Sequence, residues 1–370
     1  MSACSVVAPC PMSERVVQGP RVRVTECHLS ARGPDARDVW DAYVQSHPHG
    51  TLFHTTAWYR AVKQSFPHDG HYLIAHRGDR VVGVLPMFLV KSWLTGRMLV
   101  SVPYGVGGGI IADDADATAA LFETARHIAA DLRCRVIDFR SEHAAVPELG
   151  VIDRYVGFRS ALPASSSDVL GGLPRKARAA ARKARDRHGL RVGFGDRHFE
   201  RVWSLYCRSM RRLGSISYPR AFVRNLLKET PDRHWVSLVT LHGRPVAGLI
   251  TFMFKQTVMP YFVGTTDNAR TYNAGHYVYL TLMEHAVDAG YRVFDFGRSR
   301  RDNLGCCEFK RLHGFAPRPL GYQRYVPPGM RPSELSPSGP RIRRIRRVWT
   351  HLPLSVTRLL GACVAKHIPG

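Results

Sequence analysis

Apolar residues follow two spacings along this chain, and blocks of the two spacings alternate. Spacings of three and four residues, which are typical of an amphipathic helix, run through 36–46, 56–66 and 115–133. Runs of β-branched and aromatic residues, which predict strands, occupy 71–76, 81–90, 98–104 and 136–139. The first half of the chain therefore predicts two helices, a strand hairpin, a strand, a helix and a further strand.

The second half repeats this pattern with matching residues. Pro103-Tyr104 recurs as Pro260-Tyr261, and the segment 135–139 (RVIDF) recurs as 292–296 (RVFDF), each 157 positions later. Three more matches keep the same order along the chain: a Val-Trp-x-x-Tyr-x-x-Ser helix, a Gly-rich hairpin and a Gly-Phe dipeptide. Ordered matches at a nearly constant offset indicate a duplicated module.

We therefore predict an α/β (α+β) fold of two tandem modules, each with a mixed sheet flanked by helices. The predicted boundaries are 1–25 for a disordered N-terminus, 26–165 for the first module and 166–330 for the second. A linker and a C-terminal segment fill 331–370.

Two segments carry much of the positive charge. A helix predicted at 173–190 (LPRKARAAARKARDRHGL) has only a narrow alanine face, and 175–191 contains eight Lys or Arg and one Asp. In the tail, Ile342, Ile345, Trp349 and Leu352 follow a helical spacing among arginines, and Pro353 divides the segment in two. The tail has two interpretations: its apolar stripe docks on the body, or it attaches the protein to an anionic membrane face.

Composition limits the class of protein. The chain is 45% hydrophobic and 22% charged, which is typical of a globular protein, and its net charge is +24. Such a charge indicates an anionic partner (RNA, an anionic membrane, or a phosphorylated or acidic substrate), unless it only reflects a genome that favours arginine. The eight cysteines form no CxxC pair and no zinc spacing, so we expect reduced thiols and no metal. No apolar run approaches the ~18 residues that span a bilayer.

Candidate chemistry is concentrated in the segment 291–315 (YRVFDFGRSRRDNLGCCEFKRLHGF). Asp295 lies on its predicted strand and is a candidate general base. The first module repeats this aspartate at Asp138, which favours a structural role in holding a turn or an arginine. Arg298 and Arg300 follow the strand, where ligands collect in open α/β sheets, and Glu308 is a second carboxylate candidate.

These residues carry a resemblance to a known family. The basic helix, RRLGS at 211–215, DFGRS at 295–299, and Glu308-Phe309-Lys310 with Gly314-Phe315 resemble FemAB-type aminoacyl- or acyltransferases. This family is built from tandem GNAT-type modules. The tail pattern Trp349-x-x-Leu352-Pro353-Leu354 further resembles the branch associated with exosortase/PEP-CTERM exopolysaccharide loci. One departure is Cys306-Cys307 before Glu308, where that branch usually has Ser-Tyr.

The resemblance implies an enzyme that moves an acyl or aminoacyl group onto an amine of a cell-wall or exopolysaccharide precursor, which is an anionic glycan or a lipid-linked molecule. It also implies a role for Lys310 near the transferred acyl group, and a grip on acceptor phosphate for Arg212. Tyr261, which follows a predicted strand, is a further candidate for substrate binding. We expect a cytoplasmic protein with peripheral contact at the inner membrane face through 341–367.

Three functions remain open from the sequence. The first is FemAB-like transfer from aminoacyl-tRNA, and the second is transfer from acyl-CoA as in GNAT N-acetyltransferases, with no cofactor bound in either case. Residues 271–276 (TYNAGH) contain one glycine and lack the paired-glycine loop that holds the CoA pyrophosphate, which favours the first function. The third is a non-catalytic scaffold that recruits RNA or membrane.

Overall fold

The computed structural model describes residues 22–27, 34–331 and 340–370. Most of the predicted disordered N-terminus lies outside these ranges. The prediction of disorder is wrong for residues 23–25, because they belong to a strand whose Val24 is fully buried.

The first half of the chain contains seven strands and three α-helices in the described ranges. In chain order they are β1 (Arg23–Cys27), α1 (Pro34–Ser46), α2 (Thr56–Ser65), β2 (Asp69–Arg77), β3 (Arg80–Ser92), β4 (Gly96–Val100), β5 (Ile111–Ala112), α3 (Ala115–Asp131), β6 (Val136–Phe139) and β7 (Tyr155–Ala161). Apart from β1, β5 and β7, these elements agree with the spacing of apolar residues to within a few positions.

The second half begins with the basic helix and ends with the tail. Its elements are α4 (Ser167–Gly172), α5 (Arg175–Arg182), β8 (Arg191–Phe194), α6 (Phe199–Arg212), α7 (Arg220–Glu229), β9 (His234–Leu241), β10 (Arg244–Phe254), β11 (Thr257–Thr265), α8 (Ala274–Asp288), β12 (Val293–Arg300), α9 (Leu304–Leu312), β13 (Arg318–Pro319), β14 (Gln323–Tyr325), α10 (Pro340–His351) and α11 (Leu354–Ala365). A π-helical turn, Lys183–Arg187, extends α5.

The order of elements confirms the duplication. Strand β1, helices α1 and α2, strands β2 to β4, helix α3 and strand β6 correspond to β8, α6 and α7, β9 to β11, α8 and β12. The repeated Val-Trp-x-x-Tyr-x-x-Ser sequence lies on α1 in one copy and on α6 in the other. The fold is therefore the predicted mixed α/β arrangement of two modules.

Each module contributes one mixed sheet. The strand order is β1-β2-β3-β4-β6-β14 in the first sheet, with β5 paired to β3, and β13-β7-β12-β11-β10-β9-β8 in the second. Strands β4 and β6 pair in parallel, as do β11 and β12, and the other neighbours pair antiparallel. These parallel pairs occupy the same place in the two copies.

The two modules exchange a strand. After β6 the chain crosses to the second sheet, where β7 pairs with β12. After β12 it returns to the first sheet, where β14 pairs with β6. Residues 155–161 thus belong to the first module by sequence and to the second sheet by pairing.

A core shared by both modules holds them together. One cluster of buried side chains includes Trp40, Trp58 and Tyr72 from the first half with Phe222 and Phe252 from the second. Helices α2 and α7 pack against each other within it. Because this interface is large and apolar, the two modules form one rigid unit.

The basic helix and the tail both pack against the second half of the chain. Alanines 177, 181 and 184 are fully buried where α5 and its π-helical turn lie against α8, so the predicted alanine face is the packing face. The tail docks on α6 and the loop after it: Trp349 Nε1 donates to the carbonyl of Ser215 at 3.0 Å, and Arg346 Nε donates to that of Gly214 at 3.2 Å. The RRLGS and tail motifs are therefore in contact.

Candidate active site at the junction of the two modules

Strands β11 and β12 separate soon after they begin. They pair only at Thr257–Val293 and Val258–Phe294, and then diverge. Their later backbone groups consequently face an opening in the sheet and not a neighbouring strand. Such a gap is where an extended ligand can add its own hydrogen bonds to the backbone.

A bulge distorts β11 beside this gap. The register with β10 shifts between Ile250 and Thr251, which leaves Tyr261 as the extra residue. The corresponding pair in the first module, β3 and β4, keeps an unbroken register up to Val100, where β4 ends before Tyr104, the equivalent of Tyr261. Bulges are common next to active sites because they redirect a side chain, so this difference favours the second module as the reactive one.

Strand β12 carries a second irregularity. Its register with β7 shifts between Asp295 and Arg298, and Gly297 there has a φ of +67°. This left-handed conformation favours glycine because it has no Cβ. Phe296 packs in the core on the α8 side of the sheet, whereas Asp295 faces the first module.

Arg298 and four tyrosines form a cluster where the modules meet. The Arg298 Nη1 donates to the Tyr322 hydroxyl at 3.2 Å, and its guanidinium carbon lies 4.7 Å from the centre of the Tyr155 ring. Tyr218 and Tyr261 also lie near enough to influence Arg298 electrostatically. In the ranges that the structure describes, Arg298 has no carboxylate partner. An arginine placed among phenol rings without a counter-ion is suited to bind an anion.

Tyr261 is held at the same junction. Its hydroxyl donates to the carbonyl of Tyr104, which is the equivalent residue in the first module. Burial raises the pKa of Tyr261 well above its ordinary value, so its phenol stays protonated. The structure therefore brings two predicted binding residues, Tyr261 and Arg298, together.

Lys310 lies on the opposite side of the strand. Its side chain is 6% exposed, packs over the Phe158 ring, and donates from Nζ to the carbonyls of Phe296, Gly297 and Arg298 at 2.8, 3.0 and 3.3 Å. A lysine ammonium has three donors, and all three are occupied here. Burial lowers the pKa of Lys310. Lys310 thus holds the bulge of β12 from behind and does not project into the cluster around Arg298.

The other candidates on this segment face solvent or have local partners. Glu308 is exposed on α9. Arg300 Nε donates to Asp302 Oδ1 at 2.9 Å. Cys307, which precedes Glu308, is buried with its thiol 3.5 Å from the carbonyl of Arg300. The structure brings none of these three side chains to Arg298.

Arg212 is committed to protein partners at the far end of β11. Its Nη1 lies 2.5 Å from Asp267 Oδ1, and its Nη2 donates to the Thr265 hydroxyl at 2.8 Å. Its neighbours on α6, Arg208 and Arg211, instead line an open cavity of about 490 Å³. Arg211 Nη1 also donates to the Leu352 carbonyl at 3.3 Å, and Asp267 lines the same cavity.

Asp295 lies on the wall of a separate cavity between the modules. Its Oδ1 accepts a hydrogen bond from the Gly297 N–H at 2.7 Å, which agrees with the turn-holding role suggested by the repeat. Burial, helped by the nearby Glu142 carboxylate, raises the pKa of Asp295 to about 6. The cavity has a volume of about 330 Å³.

The corresponding aspartate of the first module has a different environment. Asp138 forms ion pairs with Arg140 and Arg324 at 3.2 and 3.1 Å, and its pKa is lowered even though burial acts to raise it, because both arginines favour the ionised form. The tail crosses this region, since the Pro369 carbonyl accepts hydrogen bonds from the Tyr104 N–H and from Arg140 Nη1 at 2.6 and 2.7 Å. Among the described residues, Asp295 thus faces a cavity, whereas two arginines neutralise Asp138.

Several residues of this site were missed by sequence reasoning. Tyr155 and Tyr322 reach Arg298 only through the exchange of strands, which no local pattern indicates. Two signals in the sequence were available. The repeated Pro-Tyr would have marked Tyr104 together with Tyr261, and the repeat of Asp295-Phe296 at Asp138-Phe139 would have drawn attention to the arginine that follows, Arg140.

The described ranges contain neither a metal-ligand cluster nor a membrane-spanning helix. No cluster of three or more His, Cys, Asp or Glu side chains there could hold a metal ion. No helix among the described residues is both long and apolar enough to cross a bilayer.

Comparison with known proteins identifies the class. Residues 174–311 match the family described as an acetyltransferase (GNAT) domain. No curated protein matches the sequence. The matched region covers the basic helix, the diverging strands and Lys310, and the chain is an acyltransferase.

Solved structures extend the likeness to both modules. FemX is 16% identical with a TM-score of 0.62, and the match covers 81% of this chain and 97% of FemX. A tandem GNAT protein from the clavulanic acid biosynthesis pathway is 12% identical with a TM-score of 0.54, covering 82% of this chain and 98% of its own. The C-terminal domain of a protein assigned as a lysylphosphatidylglycerol synthetase, from Agrobacterium fabrum, is 13% identical with a TM-score of 0.50. The match covers 88% of this chain and 95% of that domain. At these identities the matches establish a shared tandem GNAT fold.

Proposed function

We propose that the chain is a FemAB-like N-acyltransferase, which transfers an acyl or aminoacyl group to an amine of an anionic cell-wall or exopolysaccharide precursor. The observation that carries this proposal is Arg298, a cation without a carboxylate partner in the described ranges, at the mouth of the gap between β11 and β12. The gap supplies backbone groups for an acyl donor. Arg298 supplies the charge that would hold an anionic acceptor beside it.

We propose aminoacyl-tRNA as the donor. The basic helix ends next to α8, where the His188 ring lies 5.5 Å from that of Tyr272, just before α8 begins. Exposed cations, among them Arg175, Lys176 and Lys183, line the outside of this helix. A row of cations on one surface is suited to the phosphate backbone of RNA.

The acceptor side of the proposal rests on the other arginines. Arg208 and Arg211 line the cavity at the end of β11, and Leu354 of the tail forms part of the same wall. Arginine is suited to phosphate because its planar donors can form two hydrogen bonds at once. A glycan or lipid-linked precursor with a phosphate group fits this cavity, and the exopolysaccharide branch suggested by the tail motifs is the finer assignment that we propose.

Transfer from acyl-CoA is the second candidate, and the match to an acetyltransferase domain favours it. The two donors can be separated by labelled transfer. With charged tRNA carrying a radiolabelled amino acid, we expect label in the acceptor fraction and its loss after RNase treatment. Labelled acetyl-CoA should give no transfer. Label that comes from acetyl-CoA and survives RNase would reject the tRNA donor.

We also propose that the tail rests on an anionic membrane at the cytoplasmic face. Helix α11 has two stripes: Thr357, Gly361 and Ala365 are buried against the body, whereas Val356 and Leu359 point outward. Leu359 is 68% exposed and Val348 on α10 is 63% exposed. From 341 to 370 the chain contains seven Lys or Arg and no Asp or Glu, which matches an anionic lipid surface. The buried stripe thus agrees with docking of the tail on the body, and the exposed stripe supports the proposed membrane contact.

Leu359→Asp should weaken binding to vesicles of phosphatidylcholine and phosphatidylglycerol by about tenfold or more, because it places an anion where an apolar side chain would enter the bilayer. Sedimentation with the vesicles measures the bound fraction. Val151→Asp makes a similar change at an exposed position outside the tail and should leave binding unchanged. Equal binding by both variants and the unaltered protein, or no preference for anionic lipid, would reject the membrane contact.

A further inference from the structure

The tail enters the space between the diverging strands of the first module. Strands β4 and β6 pair as far as Val100 and Asp138 and then separate, as β11 and β12 do in the second module. Beyond that point the Tyr104 N–H donates to the carbonyl of Pro369 at 2.6 Å, and Pro369 is buried. The first module thus has its own gap, and residues 366–370, which we call the plug segment, fill it.

The plug segment is held mainly by neutral hydrogen bonds. The Tyr104 hydroxyl donates to the carbonyl of Ala365 at 3.2 Å, and the Ser92 hydroxyl donates to that of His367 at 3.0 Å. The Trp93 ring stands edge-on to the His367 ring, with the ring centres 5.8 Å apart. Each such hydrogen bond contributes about 1 kcal/mol, so a ligand with a stronger interaction at the same place can displace the segment.

Arg140 is the first module's equivalent of Arg298. Asp138-Phe139-Arg140 matches Asp295-Phe296-Gly297-Arg298 when Gly297, the extra residue at the bulge of β12, is left out. The Arg140 Nη1 donates to the Pro369 carbonyl at 2.7 Å. The plug segment therefore covers the arginine that corresponds to the proposed acceptor-binding cation.

Both arginines lie beside the same tyrosines. Tyr218 and Tyr322 are each near enough to Arg140 and to Arg298 to be influenced by both charges. A Cβ at Gly370 would stand 3.1 Å from the Tyr218 hydroxyl and 3.6 Å from Arg140 Nη1. The plug segment consequently lies against Arg140 and against one tyrosine of the cluster around Arg298.

The positive charge at Arg140 is only partly neutralised. Its Nε lies 3.2 Å from Asp138 Oδ2, but Arg324 pairs with the same carboxylate at 3.1 Å. In the described ranges its other acceptors are neutral, namely the carbonyls of Pro369 and Val102. Because a phosphate oxygen adds the attraction of opposite charges to the hydrogen bond, it is a better partner for a guanidinium than a carbonyl is.

We infer that Arg140 is a second anion site at the junction, and that the plug segment occupies it until a phosphate group takes the place of the Pro369 carbonyl. The ligand class is a phosphate ester, with Arg140 on one side and the cluster around Arg298 on the other. The inference rests on the proposed function only for the source of the phosphate.

Inorganic pyrophosphate is the probe, and isothermal titration calorimetry on the full chain gives its Kd. Pro369→Trp places a large ring where a buried proline fits, and should expel the plug segment. Because the segment competes with the anion, its expulsion should tighten pyrophosphate binding by about tenfold or more. Ile368→Trp adds similar bulk at an exposed neighbouring position and should leave the Kd unchanged. An equal Kd for Pro369→Trp and the unaltered protein would overturn the inference.

Hydrogen exchange checks the expulsion without any ligand. In Pro369→Trp the amide of Tyr104 should exchange faster, because the Pro369 carbonyl no longer covers it, whereas Ile368→Trp should exchange like the unaltered protein. If the Tyr104 amide stayed equally protected in Pro369→Trp, the plug segment would not close the gap and the inference would be wrong.

Arg140→Gln in the Pro369→Trp background tests the site itself. It should cancel the gain in pyrophosphate affinity, and Arg140→Lys, which keeps the charge, should retain part of the gain. Arg324 still pairs with Asp138 in both variants, so the carboxylate keeps a partner. A gain that survives Arg140→Gln would place the anion elsewhere and overturn the inference.

A lipid head group and a soluble acceptor would offer the same phosphate chemistry. Sedimentation with vesicles of phosphatidylcholine and phosphatidylglycerol separates these sources. If the phosphate belongs to the lipid, Pro369→Trp should raise the bound fraction and Arg140→Gln should cancel that rise. If it belongs to a soluble acceptor, only the affinity for pyrophosphate should respond. A response in neither assay would reject the site.

These measurements need no turnover and are therefore independent of the proposed function. Where acyl transfer occurs, Pro369→Trp should lower KM for a phosphate-bearing acceptor by about tenfold with kcat unchanged. Pyrophosphate affinity that follows the plug segment in a protein without acyl transfer would reject the proposed function and keep the site. Acyl transfer together with a Kd that does not respond to Pro369→Trp would reject the site and keep the proposed function.

Discussion

Arg298→Met should raise KM for the anionic acceptor by at least tenfold and lower kcat/KM by about 100-fold, which is a loss of roughly 3 kcal/mol of transition-state binding. The reason is that Arg298 is the cation at the mouth of the gap and has no carboxylate to neutralise it among the described residues. Methionine keeps an apolar side chain beside Tyr155 and removes the guanidinium, with its charge and its hydrogen bond to the Tyr322 hydroxyl. Steady-state kinetics with the purified acceptor measures the effect.

Arg301→Met is the matched control for this change. Arg301 lies on the same segment, is exposed, and already pairs with Asp153, with its Nη2 2.5 Å from a carboxylate oxygen. Its loss should change kcat/KM by less than about twofold, since exposed ion pairs contribute little. If Arg298→Met retained the KM of the unaltered enzyme, Arg298 would have no part in holding the acceptor. Arg208 and Arg211, which line the other cavity of the proposed acceptor side, would then be the first residues to test.

Lys310→Met should reduce the free energy of unfolding by about 3 kcal/mol or more. The ammonium bonds three backbone carbonyls at the bulge of β12, and removing it leaves buried acceptors without a donor. For a chain of this size such a loss lowers Tm by several degrees. Urea denaturation followed by circular dichroism gives the change directly, with Lys176→Met on the exposed basic helix as the control.

The same variant separates structural and catalytic roles for Lys310. A structural lysine predicts a large fall in stability and nearly normal kcat/KM per folded molecule at low temperature. A lysine that acts on the transferred acyl group predicts the reverse, with stability intact and turnover lost. The second result would show that the side chain leaves its three carbonyls when the donor binds.

The duplication could be predicted from the sequence because both copies keep short local signals. A helix face, a tight turn or a strand of alternating residues is encoded within a few positions, and these signals survive in both halves. Pairing between distant strands has no such local code. For this reason β7 and β14 could be recognised as strand-forming segments at best, while their exchange between the sheets could not.

The candidate site could likewise be predicted from the sequence only in part. Tyr261 and Arg298 could be selected because the sequence predicts each of them just after a strand. In the structure both lie within strands, at the irregularities of β11 and β12. Lys310 could be identified as important, but its direction could not, because one residue on a short helix reaches either solvent or the strand behind it. The different environments of the two aspartates could not be predicted either, because the strands that carry them are nearly identical in sequence. Asp138 pairs with two arginines, whereas Asp295 lines a cavity.

The strand exchange ties each half of the chain to the sheet of the other half. A protease cut in the connection between β7 and α4 would leave two fragments, and each would still hold a strand inside the sheet of the other. Neither half expressed alone could complete its own sheet, although the two halves made together could reassemble. The two crossings and the shared apolar core resist separation of the modules, so we expect substrates to enter by side-chain and loop movement and not by the halves swinging apart.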